Sequence, residues 1–239
     1  MLISEFMKER QENLLREIID SYVKTCQPVS SRLISQVGDF SVSPATIRNE
    51  MMELENLGLI TQTHTSSGRI PTEKGYQFYV DNFLDKAELP AKNQKALAEI
   101  IRSTKNFEAL VIKELVKKMA EISREAVFIA FSDHDFYYTG LSNLFVQPEF
   151  AKHQLVTQLS RVIDHLDETI GKIFDQLENE VEVSIGSKNP FGRDCSTVLT
   201  KYQVNSNEGL VGILGPIRMN YQINVGLVKY GQALINNLG

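Results

Sequence analysis

The sequence has no tryptophan, only two cysteines, and no apolar run near the ~20 residues that a helical bilayer span needs. Cys26 and Cys195 lie far apart and show no metal-ligand spacing, which excludes a disulfide framework or a zinc site as the organising feature. Free buried thiols in a reducing compartment are expected instead. The opening residues, MLISEFMKERQEN, turn acidic and polar too early for a secretion signal, so the expected location is the cytoplasm. A generally basic coat is also missing. The net charge is −5, and residues 1–86 hold nine Lys/Arg against twelve Asp/Glu. Tight non-specific binding to nucleic acid is therefore not expected, although a few cations gathered on one face suffice for a sequence-specific binder.

Catalytic patterns are equally thin. His134 stands between Asp133 and Asp135, and His153 and His165 lie on one helical stretch. No Cys/His cluster, His-Glu-x-x-His pattern or nucleophile elbow accompanies them, so a polar turn and surface histidines are expected. GLVGILGP (209–216) has three glycines but neither phosphate-loop pattern, and reads as a buried strand with a tight turn at Gly215-Pro216. No metal, cofactor or enzymatic activity is expected.

What is present centres on Phe40–Thr72. Ser43 followed by Pro44 is a helix start, because the hydroxyl can cap a free backbone N–H and proline at the first helical position loses nothing. Ile47, Met51, Leu54 and Leu57 then recur on one face, and Gly58 ends the helix. The opposite face carries Ala45, Arg48, Asn49 and Met52, with Thr46 and Glu53 on its flank. A solvated face would be rich in Lys and Glu. A small, hydrogen-bonding one suits entry into a DNA groove. Leu59–Thr63 reads as a strand, His64-Thr65-Ser66-Ser67-Gly68-Arg69 as a polar turn with Arg69 at its tip, and Ile70 as the returning strand. Helix plus two-stranded wing is the winged helix-turn-helix pattern; taken alone, these residues also fit a surface helix followed by an ordinary hairpin.

VSPATIRNEMMELENLGLI (42–60) and THTSSGRIPTEKGYQFYVD (63–81) together resemble the signature of the HrcA family of bacterial heat-inducible transcription repressors. The wing departs slightly, with Ser66-Ser67-Gly68-Arg69 where the family usually has Ser-Ala-Gly-Arg. YTGLSNLFVQPEF (138–150), VSIGSKNPFGRDCS (183–196) and LGPIRMNYQINVGLVKY (214–230) resemble the family as well. The resemblance implies a dimer on an inverted-repeat operator in double-stranded DNA upstream of chaperone genes, with the chaperonin assisting the active fold. Its implied DNA-binding set is Ser43, Ala45, Thr46, Arg48, Asn49 and Met52 on the helix, and His64, Ser66, Ser67 and Arg69 in the wing. Arg32, in a stretch similar to the family's Pro-Val-(Gly/Ser)-Ser-Arg motif, could meet a phosphate at a helix start or simply be an exposed arginine.

At 239 residues, with ordinary apolar and charged content, the chain is long enough for two domains. Residues 5–25 read as a helix, a short one follows Ser30-Ser31, and another opens at Thr72 with Tyr76, Phe78, Tyr79 and Phe83 as core aromatics. These complete a winged helix-turn-helix domain over 1–86. A helical linker is expected over 87–123, its Ile100, Ile101, Phe107 and Leu110 free to pack on the second domain or on a second copy. Period-two patterning then begins. Strands are expected at 126–131, 136–140, 181–185, 196–204 and 210–214, a loop near Leu144–Pro148, and helices at 151–179 and 220–237. The expected class is α+β, with a mainly antiparallel sheet in 124–239. The resemblance makes this domain GAF-like, with the family's dimerisation insert shortened or absent. Two other readings stay open: a winged-helix regulator controlled by a small ligand in its C-terminal domain, and an enzyme with a vestigial winged helix.

Overall fold

The computed structural model describes residues 7–38, 40–63, 68–84, 87–103, 108–132, 135–151 and 153–238. Contacts divide the chain into two compact units, Met1–Asp85 and Lys86–Gly239.

In the first unit α1 (Glu9–Thr25) turns Leu14, Leu15, Ile18 and Ile19 inward, all fully buried. Ser30 caps α2 (Ser31–Val37), its hydroxyl accepting the Leu33 N–H at 3.1 Å. Then come α3 (Pro44–Asn56), β1 (Ile60–Gln62), β2 (Arg69–Pro71) and α4 (Glu73–Phe83). β1 and β2 pair antiparallel with Thr61 opposite Ile70. Val29 and Arg69 exchange both backbone hydrogen bonds at 2.8 Å, so the segment between α1 and α2 forms a third rung beside the hairpin. Ile34, Ile47, Leu54, Leu59 and Tyr76 close the core. Each such aliphatic, removed from water, contributes about 2 kcal/mol.

The second unit is built on a five-stranded antiparallel sheet. It contains α5 (Ala91–Ser103), α6 (Glu108–Ser123), β3 (Ala126–Ala130), β4 (Phe136–Thr139), α7 (Leu141–Phe145), α8 (His153–Asp164) and α9 (Leu166–Phe174). β5 (Glu182–Ile185), β6 (Cys195–Val204), β7 (Asn207–Pro216) and α10 (Tyr221–Asn236) follow. The strand order is β4-β3-β7-β6-β5. Side chains alternate across the pleat. Ala126, Phe128, Leu199, Leu210 and Leu214 face a cluster with Leu144, Phe150, Leu166 and Ile170 from the α7–α9 segment. The alternate residues of β3 and β6 face α6 and α10. Tyr221 Oη donates to Ser196 Oγ at 2.8 Å, and Gln232 Nε2 donates to Thr200 Oγ1 at 3.0 Å, fixing α10 along β6.

Two sequence motifs far apart in the chain meet in this unit. The Arg218 guanidinium donates to both Glu149 carboxylate oxygens, at 2.5 and 3.2 Å, and to Gln147 Oε1 at 3.0 Å. Beside them Glu125 is buried, its Oε2 without a hydrogen bond among the described residues. Burial pushes the Glu125 carboxyl well above its ordinary range; Arg218 opposes that shift and Glu149 adds to it. Burial also raises the Cys195 thiol to about 12. Cys26 is only half-buried, unlike the buried thiol expected.

In the helical segment over 87–123, Leu115, Val116 and Met119 of α6 are fully buried. Other expectations are corrected. The helix expected over 151–179 breaks at His165, whose backbone leaves helical angles at φ −114 and ψ 21. Its apolar stripe continues across the break, so periodicity alone does not reveal it. Leu144 belongs to a short helix, started by Gly140 at φ 77, and not to a loop. β7 runs on through Pro216, which pairs with Cys195, so no turn falls at Gly215-Pro216.

Candidate nucleic-acid interface

Local chemistry explains why α3 stands where it does. The Ser43 hydroxyl accepts the Thr46 N–H at 3.2 Å and lies 3.0 Å from Thr46 Oγ1. At the other end Leu59 N–H donates to Leu54 O at 3.0 Å and Gly58 N–H to Glu55 O at 2.9 Å. That double closure needs a left-handed residue, and Gly58 supplies it at φ 72. Lys74 Nζ donates to Leu57 O at 2.7 Å, placing a cation on the negative end of the helix.

The inner face of α3 holds Ile47, Met51 and Leu54 in the core, as their spacing predicts. It also holds Glu50, which sequence reading missed. The Glu50 side chain is 8% exposed and accepts from Arg10 Nε of α1 at 2.6 Å. Glu50 lies between Leu54 and Leu57 on the helical wheel, so its inward direction was legible; its partner, forty residues upstream, was not. Two more carboxylates are tied off. Gln11 Nε2 donates to Glu53 Oε2, and Glu55 accepts the Arg69 guanidinium at 2.9 Å and the Gln62 N–H at 3.1 Å. The negative charge of the helix is thereby bound to neighbours on its flanks.

The outer face is left to Ala45, Arg48, Asn49 and Met52, all exposed, Met52 by 50%. Among the described residues no hydrogen bond or ion pair engages the Arg48 or Asn49 side chains. Arg48 is the free cation of that face, and Asn49 offers both a donor and an acceptor. Ser43 and Thr46 lie at its N-terminal end, with their hydroxyls already paired to each other. Arg32 is exposed in the first turn of α2.

The wing differs from expectation at Arg69. It begins β2 and is not at a tip; its side chain is 17% exposed and bonded to Glu55. Strand pairing with Val29 holds it there. Gly68 is required just before it, because a Cβ would lie 2.5 Å from the Val29 backbone. His64, Ser66 and Ser67 lie outside the described residues, as do Asp133 and His134. Among the described residues no three His, Cys, Asp or Glu side chains converge as a metal site, and no helix is long and apolar enough to cross a membrane. His165 is exposed and lies 3.5 Å from Glu168. GLVGILGP is the middle of a sheet, not a phosphate cradle.

A capped third helix on a helical pair, followed by a two-stranded wing, defines the class of winged-helix DNA-binding proteins. Two family models match the chain. The winged helix-turn-helix transcription repressor, HrcA DNA-binding, matches residues 7–82, and the HrcA protein C terminal domain matches 76–225. The chain belongs to the HrcA family of transcription repressors. The heat-inducible transcription repressor HrcA of Carboxydothermus hydrogenoformans is 27% identical over 325 aligned positions, covering 93% of this chain and 95% of that protein. That alignment is longer than the 239 residues here, so the relative carries stretches with no counterpart. The HrcA of Acetivibrio thermocellus is 38% identical over 125 residues, 52% of this chain and 36% of that protein. Among solved structures, the crystal structure of a hypothetical protein at 2.2 Å resolution aligns with TM-score 0.76 and 18% identity, over 97% of this chain and 98% of that one. At that identity the likeness speaks for the fold.

Proposed function

We propose that the chain represses transcription of heat-shock genes by binding an inverted-repeat operator in double-stranded DNA as a homodimer. Arg48 and Asn49 read base edges in the major groove, Ala45 and Met52 give apolar contact, and Ser43, Thr46 and Arg32 approach the phosphates. His64, Ser66 and Ser67 of the wing lie against the neighbouring backbone, and Arg69 supports the wing through Glu55. Residues 1–86 form the DNA-binding module in this reading, with 87–123 joining it to the sheet domain. The observation that carries it is the α3 face: Arg48 and Asn49 outward, with no side-chain partner among the described residues, and Glu50, Glu53 and Glu55 each held by a neighbour.

Heat release follows from stability. A domain held by a few kcal/mol loses folded population steeply with small shifts, so heating empties the repressor pool and free chaperonin refills it in the cytoplasm. Genomic footprinting before and after a heat step, with and without chaperonin, tests the whole scheme. Protected inverted repeats near chaperone genes that open on heating are expected. Protection that persists well above the heat-shock temperature contradicts the release step.

A further inference from the structure

The two edges of the sheet are treated differently by the sequence. β5 is flanked by exposed Glu178, Glu180 and Glu182. Charges on an edge strand are a common guard against pairing with another chain. β4, the opposite edge, has a single flanking charge, the exposed Asp135 just before it; from there to Glu149 no residue carries a formal charge. The same stretch leaves apolar surface in water, with Tyr138 39%, Phe145 40% and Val146 78% exposed.

We propose that the free edge of β4 is the surface on which a second copy of this chain docks, joining the two sheets by antiparallel pairing across a two-fold axis. The inference rests on the dimeric repressor reading and specifies its interface. Register follows from the hydrogen bonds. Phe131 N–H donates to Asp135 O at 2.7 Å, and Ile129 stands opposite Tyr137. Antiparallel ladders alternate, so Tyr137 and Thr139 bond toward β3 while the backbone groups of Phe136 and Tyr138 point outward. An axis through Tyr137 then sets Phe136 of each copy opposite Tyr138 of the other and forms four backbone hydrogen bonds. Asp135 faces Thr139 in that register, so no like charges meet within the two strands; Lys113 of α6 lies over the Tyr137 ring, 5.4 Å from its centroid, on the helix side of the join. The Phe136 and Tyr138 rings, stacked at 6.3 Å within the chain, become cross-strand aromatic pairs. A heterologous partner would bring its own charge pattern; a strand whose own residues Phe136–Thr139 carry no charge to clash with their image favours a second copy. The motive is physical as well. One α3 reads only a few base pairs, and a slightly acidic module gains from a tethered second one.

Two variants of the full chain test this by sedimentation and non-reducing electrophoresis. Wild type should sediment as a dimer, and Tyr138→Lys, which puts a charge at the join while leaving the bonds to β3 intact, should sediment as a folded monomer of 27.0 kDa. Tyr137→Cys puts two thiols directly opposite across the axis, where a disulfide closes without backbone movement. It should cross-link into a covalent dimer under conditions in which wild type, with Cys26 and Cys195, does not. A monomeric wild type overturns the inference. So does a folded Tyr138→Lys dimer, or a Tyr137→Cys chain that fails to cross-link, whatever the lysine variant does. A monomeric wild type also removes the homodimer from the proposed function, whereas the two variant results concern this interface alone; base reading by α3 fails separately, if wild type shows no preference between operator and random DNA.

Discussion

Both units bury charge, and they use it for opposite ends. In the first, Arg10–Glu50, Gln11–Glu53 and Arg69–Glu55 run from neighbouring elements onto α3. They remove carboxylates from a helix whose outer face stays open. In the second, Arg218 reaches from the end of the sheet to Glu149 and Gln147, and the exposed surface gains nothing from it. Contacts of the first kind occupy the carboxylates of α3 beside the face proposed to bind DNA; those of the second hold two segments of the fold together. Substitutions should therefore separate cleanly into those that change DNA affinity and those that change stability.

The largest effect is expected in the second unit. Arg218→Met leaves the Glu149 carboxylate beside buried Glu125 without its cation, and should lower stability by about 3 kcal/mol, read as a shifted urea midpoint at unchanged slope. Operator affinity of the remaining folded fraction should be unaltered. A variant with normal stability and weakened binding would collapse the distinction between the units.

Next come Arg48→Ala and Asn49→Ala. Each should cost roughly 1–3 kcal/mol of operator binding and relax preference at particular base pairs, with stability nearly unchanged because both side chains are exposed. Titration against single-position operator variants checks this.

A smaller, pH-dependent effect is expected at Glu125. Its folded carboxyl is raised above the ordinary 4.5, so the folded state binds its proton more tightly than the unfolded state. Stability from that proton is fully present below about pH 4.5 and is lost as pH rises toward the folded value. Glu125→Gln keeps the neutral shape and should melt higher than wild type near pH 8, with the difference closing toward pH 4.5. Parallel melting curves at all pH values would show that the carboxyl is not buried as described.

The smallest change is expected from Arg69→Ala and Glu55→Gln. Each should weaken operator binding by about 1 kcal/mol, through a looser wing, with the same salt slope as wild type. A slope reduced by about one for Arg69→Ala alone would mean that Arg69 meets a phosphate directly.

Much of the first unit was legible in the sequence because its signals are local. Ser43-Pro44, the spacing of Ile47, Met51 and Leu54, and Gly58 define α3 within sixteen residues. The wing's strands follow at once. What stayed hidden is long-range or interrupts a continuing pattern. Arg10 and Glu50 are forty positions apart, Glu149 and Arg218 sixty-nine, and no spacing rule links them. The break at His165 is a backbone event within an unbroken apolar stripe. The position of Arg69 depends on its pairing with Val29, which no hairpin signal contains.

The central claim is that the outer face of α3 reads bases. Asn49→Ala tests it most directly, through affinities for operator and for random DNA of the same length measured at one salt concentration. The account predicts that operator affinity falls about tenfold or more while random-DNA affinity is preserved, so that the specificity ratio collapses. An equal loss on both DNAs, or no loss on either, would contradict it.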